Sequence, residues 1–165
     1  MTTIVFCKDS VAADMQMTEG NTVVNTNYVK IFDTGRYIVG GAGRVGILNR
    51  VIDWVKLNFE YEGEATVPFL HEKENPDFEV VFIDKLNGKL YCVEAPCFDI
   101  VEIEYPYAIG SGRDFARGYL LGKHLGNAGL AVKAVKAASK LDLYTGDKVM
   151  EIKVNLLDDP DDIEE

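Results

Sequence analysis

The order of strand-like and helix-like patterns is the feature of this sequence that most restricts its fold. Apolar and β-branched strand patterns fill much of the first 40 residues, and a helical pattern follows them. A second group of strand patterns comes next, and two helical patterns then precede a last strand. A parallel βαβ fold needs strands and helices in alternation, whereas this order fits helices layered on antiparallel sheets. The sequence therefore predicts an α+β architecture.

Three β-hairpins are predicted from apolar, β-branched segments on either side of turn residues. Their turns are Lys8-Asp9-Ser10, Asp33-Thr34-Gly35 and Leu86-Asn87-Gly88, and the last contains the Asn-Gly pair typical of tight hairpins. The paired segments are 3–8 with 11–13, 29–32 with 37–39, and 78–83 with 89–93. Further strands are predicted at 100–105 and 148–156. Residues 18–27 are interpreted as irregular, and 108–112 as a glycine-rich turn.

Apolar residues at helical spacing predict one helix at about 44–59 and a pair of helices later in the chain. The pair is predicted around 115–120 and at 128–141, where several alanines allow close packing. Charges, glycine and prolines between 60 and 77 are typical of a loop.

Length, composition and charge indicate one ordinary globular domain. The chain has 165 residues, of which 47% are hydrophobic and 27% charged. We predict a single domain at 1–157 and an acidic, disordered tail at 158–165, which carries six of the ten net negative charges. No basic patch suits nucleic acid, and no apolar run approaches the roughly 20 residues that cross a bilayer. Without a recognisable signal peptide, a cytosolic location is expected.

Few residues are available for metal or histidine chemistry. Cys7, Cys92 and Cys97 lack CxxC spacing and are interpreted as buried small hydrophobes. His71 and His124 lie in no metal-ligand spacing, so no metal site is predicted. The glycines at 40–43 precede a helix, but neither GxGxxG nor GK[ST] is present. They are interpreted as serving close packing and a tight turn.

The N-terminus offers a different kind of chemistry. Removal of Met1 would give Thr2 a free α-amine, whose reference pKa of about 7.7–8.0 suits it to take the proton of the Thr2 hydroxyl. One residue would then supply both nucleophile and base. Many proteins have a small second residue, so position alone does not separate a catalytic Thr2 from an ordinary one.

Five further groups of residues follow Thr2-Thr3-Ile4-Val5 in order. They are Asp14-Met15-Gln16-Met17-Thr18, Val29-Lys30-Ile31, Gly40-Gly41-Ala42-Gly43, Ala108-Ile109-Gly110-Ser111-Gly112 and Asp142-Leu143-Tyr144-Thr145-Gly146. This ordered set resembles the proteasome β-subunit family, especially the bacterial HslV peptidases, while residues 60–104 match poorly. The resemblance implies a four-layer αββα sandwich of the N-terminal nucleophile hydrolase type. It also implies threonine-type endopeptidase activity on unfolded proteins without a cofactor, in a ring of identical subunits with an ATP-dependent unfoldase as partner.

The resemblance assigns a role to each matching residue. Thr2 is the nucleophile, and Asp14 and Lys30 are the acid and the lysine beside it. Gly43 offers its main-chain N–H to the developing oxyanion and leaves room for the substrate backbone, while Thr18 holds an extended substrate by main-chain hydrogen bonds. The polar group that orients the threonine and its amine consists of Ser111, Asp142 and Thr145.

Plainer interpretations exist for these residues taken singly. Asp14 and Lys30 could form a surface ion pair, worth about 0–1 kcal/mol, and the polar residues near 111 and 142–145 could be helix-end or turn residues. Arg44-Val45-Gly46-Ile47 departs from the small residue and Ala-Asp pair of the family, and Met15 and Met17 replace smaller residues. A non-catalytic ring or scaffold subunit, or a small-molecule amidase of the same superfamily, are therefore the alternatives.

Overall fold

The computed structural model describes residues 1–60, 78–94, 100–124 and 126–158. The strands in these ranges are β1 (Thr3–Phe6), β2 (Ser10–Asp14), β3 (Met17–Glu19), β4 (Thr22–Asn25), β5 (Ile31–Asp33), β6 (Tyr37–Gly43), β7 (Phe78–Asp84), β8 (Lys89–Glu94), β9 (Ile100–Ile103), β10 (Tyr107–Gly110) and β11 (Val149–Lys153). The helices are α1 (Val45–Glu60), α2 (Arg113–Leu120) and α3 (Leu130–Ser139). The predicted loop from residue 61, His71, Cys97 and the tail beyond Asp158 lie outside the described residues.

Two antiparallel sheets form the middle of the molecule. The first has the strand order β10-β1-β2-β11 and the second has the order β5-β6-β7-β8-β9. Helices α2 and α3 pack on the outer face of the first sheet, and α1 packs on the outer face of the second. A third apolar cluster fills the space between the sheets. The result is the four-layer αββα sandwich that the resemblance implied.

Strand β1 lies in the middle of these layers. Ile4 and Phe6 belong to the core between the sheets, whereas Val5 packs against the helices, and all three are fully buried. A strand covered on both faces has no solvent side, so its sequence is continuously apolar instead of alternating. The residues immediately before Ile4 are thereby held inside the molecule.

The hairpins and helices predicted from local patterns are confirmed. Strand β1 pairs with β2, β5 with β6, and β7 with β8, all antiparallel. The three helices and the last strand begin and end within a few residues of their predicted bounds. Cys7 and Cys92 are buried, as expected. None of the described helices is long and apolar enough to cross a membrane.

Three predictions about irregular segments are wrong. Residues 17–25 form the small β3–β4 sheet, whose second strand is wholly exposed and lacks the apolar–polar alternation of a half-buried strand. Residues 108–110 lie in β10, which pairs with the distant β1, so only residues 111–112 of the predicted 108–112 turn form a turn. Strand β6 runs through to Gly43 with no tight turn at 40–43. The packing role is confirmed at Gly40, where a Cβ would lie 3.0–3.2 Å from the side chains of Ile31, Ile4 and Phe6.

Candidate active site

Asp14, at the end of β2, is the centre of a buried polar group. Its side chain has no solvent exposure. One carboxylate oxygen, Oδ1, accepts hydrogen bonds of 2.8 Å from three donors, which are Thr2 Oγ1, the Thr3 N–H and Lys30 Nζ. The other oxygen accepts the main-chain N–H groups of Gln16 at 3.1 Å and Gly146 at 2.9 Å. These five donors, from four stretches of the chain, compensate the desolvation of this carboxylate.

Lys30, immediately before β5, forms a buried ion pair with Asp14. The interpretation of these two residues as a surface pair is therefore wrong, since their side chains are only 5% and 0% exposed. Burial lowers the pKa of Lys30, while the charge and hydrogen bond of Asp14 act in the opposite direction. Lys30 Nζ also lies 3.4 Å from the carbonyl oxygen of Met1. The ammonium thus sits beside the Thr2 hydroxyl, which shares its acceptor oxygen.

A second polar group lies on the other side of Thr2. Ser111, between β10 and α2, places its Oγ 2.7 Å from Asp142 Oδ2 and 3.3 Å from the carbonyl oxygen of Thr2. Thr145 Oγ1 donates to the same Asp142 oxygen at 2.6 Å. Hydrogen bonds between a hydroxyl and a carboxylate of this length are charge-assisted and strong. These residues therefore do more than close local turns, because Ser111 links the Asp142 carboxylate to the peptide unit that follows Thr2.

The α-amine of Met1 reaches the same region from the exposed side. It lies 3.4 Å from Thr18 Oγ1 on β3. Burial is the main cause that lowers the pKa of this amine, followed by the charge of Lys30, while Asp14 and Asp142 oppose the shift. An amine in this position is thus biased towards its neutral, basic form.

A pocket opens beside Thr2 and Lys30. Gly43, with a φ of 135°, ends β6 on one side of it, and Thr18 lies on another. Much of the remaining lining is apolar and comes from the side chains of Met17, Tyr28, Val45 and Leu48. Two of the departures from the family pattern, at residues 17 and 45, therefore belong to the pocket wall. Arg44 is exposed, and its carbonyl accepts hydrogen bonds from the first turn of α1.

The structure brings all the predicted site residues to one place. Six of them form two hydrogen-bonded groups around Thr2, and Thr18 and Gly43 line the adjoining pocket. Sequence reasoning missed the main-chain donors of Gln16 and Gly146 and the contacts of Thr3. The signal for Thr3 was a polar residue at the start of an otherwise apolar buried strand. His124 is exposed, and the described ranges contain no group of three or more His, Cys, Asp or Glu side chains that could hold a metal ion.

An αββα sandwich with a buried polar group around a residue at the start of its central strand defines an N-terminal nucleophile hydrolase type of protein. Proteasome subunit beta 1 of Thermococcus sibiricus is 31% identical over 92% of this chain and 84% of that protein. The ATP-dependent protease subunit HslV of Borrelia hermsii is 28% identical over 87% of this chain and 89% of its own length. This chain belongs to the proteasome β-subunit and HslV family of proteases.

Solved structures agree with this fold. Eukaryotic HslV from Trypanosoma brucei superposes with a TM-score of 0.70 at 16% identity, covering 92% of this chain and 97% of that one. Thiobacillus denitrificans BPH superposes with a TM-score of 0.67 at 19% identity, covering 96% of this chain and 99% of that one. No protein-family model matches the sequence.

Proposed function

We propose that this chain is a threonine-type endopeptidase that cleaves unfolded polypeptides, with Thr2 as its nucleophile after removal of Met1. One observation carries the proposal. The Thr2 hydroxyl lies 2.8 Å from a buried carboxylate oxygen that also holds Lys30, and a pocket opens beside both residues. A hydroxyl is a weak nucleophile until an adjacent base or a nearby cation favours its deprotonated form, and both kinds of group are available here.

The α-amine that Met1 removal creates on Thr2 serves as the general base. It takes the proton of Thr2 Oγ1 while that oxygen forms a bond to the substrate carbonyl carbon. Burial and the Lys30 charge lower the pKa of the Met1 α-amine, and we expect the same two causes to act on a Thr2 amine, because Thr2 is buried beside Lys30. A lowered pKa keeps this amine neutral at physiological pH, so it is free to accept the proton. Lys30 favours the developing alkoxide by its charge.

The opposite side of the pocket stabilises the tetrahedral intermediate. We assign the main-chain N–H of Gly43 to the oxyanion, since preorganised donors of this kind contribute about 2.7–4 kcal/mol in other hydrolases. The amine then donates the proton that it took from Thr2 Oγ1 to the leaving nitrogen, and water hydrolyses the acyl-enzyme. Thr18 binds the extended substrate, and the group of Ser111, Asp142 and Thr145 holds Thr2 and its amine in place. The apolar lining favours an uncharged side chain beside the scissile bond.

The proposal extends to the assembly. The relatives named above include a proteasome subunit and an ATP-dependent protease subunit. We infer that this chain forms a cytosolic homo-oligomeric ring and receives unfolded protein from a separate ATP-dependent unfoldase. Sedimentation of the purified protein tests the inferred ring, because a stable monomer would contradict it.

Two measurements test the catalytic proposal. Intact mass is expected to show the loss of Met1, and retained Met1 would contradict the mechanism because Thr2 would have no free amine. Cleavage of fluorogenic peptides is expected to fall at least about a thousandfold in Thr2→Ala, because the nucleophile is lost. Thr34→Ala is the matched control, since Thr34 Oγ1 contacts only its own turn at Tyr37 O among the hydrogen bonds of the described residues.

The same assays separate the alternatives. Equal peptide cleavage by the unaltered protein and Thr2→Ala would exclude Thr2 as the nucleophile, and no cleavage by either would favour a scaffold subunit. Hydrolysis of small acyl-amides without cleavage of extended peptides would favour a small-molecule amidase.

A further inference from the structure

The residue after the nucleophile, Thr3, is fully buried and is bonded through both its main chain and its side chain. Its N–H donates to Asp14 Oδ1 at 2.8 Å, and its hydroxyl oxygen lies 2.6 Å from Thr145 Oγ1. Thr3 thus contacts the Asp14 group on one side and the Asp142 group on the other. None of the roles assigned so far involves Thr3.

The direction of the hydroxyl contacts follows from counting protons. A hydroxyl carries one proton, and that of Thr145 is donated to the carboxylate of Asp142 at 2.6 Å, since an ionised carboxylate can only accept. The Thr3 hydroxyl must therefore donate to Thr145. The result is a directed chain from Thr3 through Thr145 to Asp142, in which each hydrogen bond polarises the next.

The peptide unit that joins Thr2 to Thr3 is held at both ends. Its N–H donates to Asp14 Oδ1, and its carbonyl oxygen accepts the N–H of Gly112 at an N···O distance of 3.5 Å. Ser111 Oγ also contacts this carbonyl oxygen at 3.3 Å, although its single proton is donated to Asp142 Oδ2 at 2.7 Å. A peptide unit is planar and rigid, so these contacts restrict the backbone orientation of Thr2. The direction of the Thr2 side chain and amine depends on that orientation.

The neighbouring loop leaves space for these contacts. A Cβ on Gly112 would lie 2.0 Å from Thr3 Oγ1, and a Cβ on Gly110 would lie 2.0 Å from the carbonyl oxygen of Thr2. Such distances are far shorter than van der Waals contact, so any side chain at either position would displace the Thr3 hydroxyl or the Thr2 carbonyl. The two glycines around Ser111 thus accommodate the hydroxyl chain and the held peptide unit.

We propose that Thr3 is a positioning residue for the nucleophile, acting through its hydroxyl and the chain Thr3–Thr145–Asp142. This inference rests on the proposed peptidase function, in which Thr2 must be aimed at the substrate carbonyl. Misplacement by about 1 Å can cost on the order of a hundredfold in rate. Loss of the Thr3 hydroxyl should therefore lower kcat and leave KM almost unchanged, because Thr3 is buried and does not line the pocket.

Three variants test the proposal in the peptide assay. Thr3→Val keeps the shape and removes the hydroxyl, so kcat is expected to fall about tenfold or more with KM changed less than about twofold. Thr3→Ser keeps the hydroxyl and is expected to retain kcat to within a few-fold. Ile83→Val, in the fully buried part of β7, is the matched control for a modest loss of stability. Unchanged kcat in Thr3→Val, or equal losses in the serine, valine and control variants, would overturn the proposal.

Neutron diffraction from the unaltered protein provides a reading that does not depend on activity or on the folding of a variant. A deuteron on Thr3 Oγ1 pointing at Thr145 Oγ1, with the Thr145 deuteron pointing at Asp142, is expected. A Thr145 deuteron pointing at Thr3 would overturn the hydroxyl chain. An inactive protein with the expected deuterons would count against the peptidase function while supporting the chain, so the two failures are distinguishable.

Discussion

Two ion-pair clusters in this molecule each contain a buried aspartate and differ in what surrounds it. One is the Asp14–Lys30 pair of the candidate site. The other, the turn cluster, consists of Asp33, Arg36, Asp84 and Lys85 at the β5–β6 and β7–β8 turns. There Arg36 donates to both oxygens of Asp84 at 3.1 and 2.8 Å, and Lys85 Nζ does the same to Asp33 at 2.9 and 3.1 Å. The Asp84 side chain is 2% exposed and that of Asp14 is 0% exposed.

The two clusters differ in the remaining hydrogen-bond donors to the buried aspartate and in whether a pocket opens beside it. Asp84 Oδ1 accepts one more main-chain N–H, from Leu86, and thereby closes its own turn. Asp14 Oδ1 instead accepts the hydroxyl of Thr2 together with the ammonium of Lys30, beside an open pocket. A buried, paired charge therefore indicates a requirement of the folded state in both places. A role in catalysis needs, in addition, a nucleophile on the same oxygen and room for a substrate.

The first test of this comparison gives the largest effect. Lys30→Met and Arg36→Met each leave a buried carboxylate without its cation, so each is expected to lower the free energy of unfolding by about 3–5 kcal/mol. Peptide cleavage is expected to fall at least about a hundredfold in Lys30→Met, because charge stabilisation of the nucleophile is lost. It should stay within about twofold in folded Arg36→Met, since a residue outside the site makes no contact with the reacting groups.

Denaturant titration measures the stability of these two variants, and the cleavage assay is run where circular dichroism shows both to be folded. Comparable peptide cleavage by the two variants would show that the two clusters do not differ in their role in catalysis.

The second test compares two glycines with positive φ. Gly43, beside the pocket, has φ of 135°, and Gly35, in the β5–β6 turn beside the turn cluster, has φ of 92°. Alanine is strained at both positions, so each substitution is expected to cost about 1–3 kcal/mol in unfolding free energy. Gly43→Ala should also lower kcat about tenfold, because its main-chain N–H is turned away from the oxyanion. If Gly35→Ala lowers kcat equally, the assignment of the oxyanion donor is wrong.

The third test concerns pH and has the smallest effect. The base must be neutral, so activity should rise with pH as the Thr2 amine loses its proton. Burial first, and the Lys30 charge second, lower the pKa of the present α-amine below its ordinary value of 8.0. The midpoint of the rise in kcat/KM is therefore expected below pH 8. Lys85→Met, in the turn cluster, should leave that midpoint unchanged, and a midpoint at or above pH 8 would contradict the proposed base.

Elements whose signals are local were predictable from sequence. The β7–β8 hairpin follows from its Asn87-Gly88 turn, and α1 from apolar residues at helical spacing, because both signals lie within a few residues of one another. Strand β10 was not predictable in this way. Its partner is β1, about a hundred residues earlier, and Ile109 becomes recognisable as a strand residue only through its pairing with Ile4. The exposed β4 contains Val23 and Val24, but four residues without apolar–polar alternation gave no strand pattern.

The candidate site was likewise predictable from the sequence only in part. The order of Thr2, Asp14, Lys30 and the later polar residues in the sequence predicted which residues would meet. Sequence could not tell whether Asp14 and Lys30 form an exposed pair or a buried one, and these cases differ by several kcal/mol when one partner is lost. It also did not single out Thr3, whose hydroxyl contact with Thr145 spans 142 positions.

The sequence by itself determined the hairpins, the helices, the family resemblance and the identity of Thr2 as the candidate nucleophile, because turn chemistry, periodicity and residue order are written along the chain. Tertiary structure alone decided the burial of Asp14 and the hydroxyl chain from Thr3. The physical reason is that five hydrogen bonds from four stretches of the chain, residues 2–3, 16, 30 and 146, meet at one carboxylate, and its desolvation is compensated only when all those stretches are folded together.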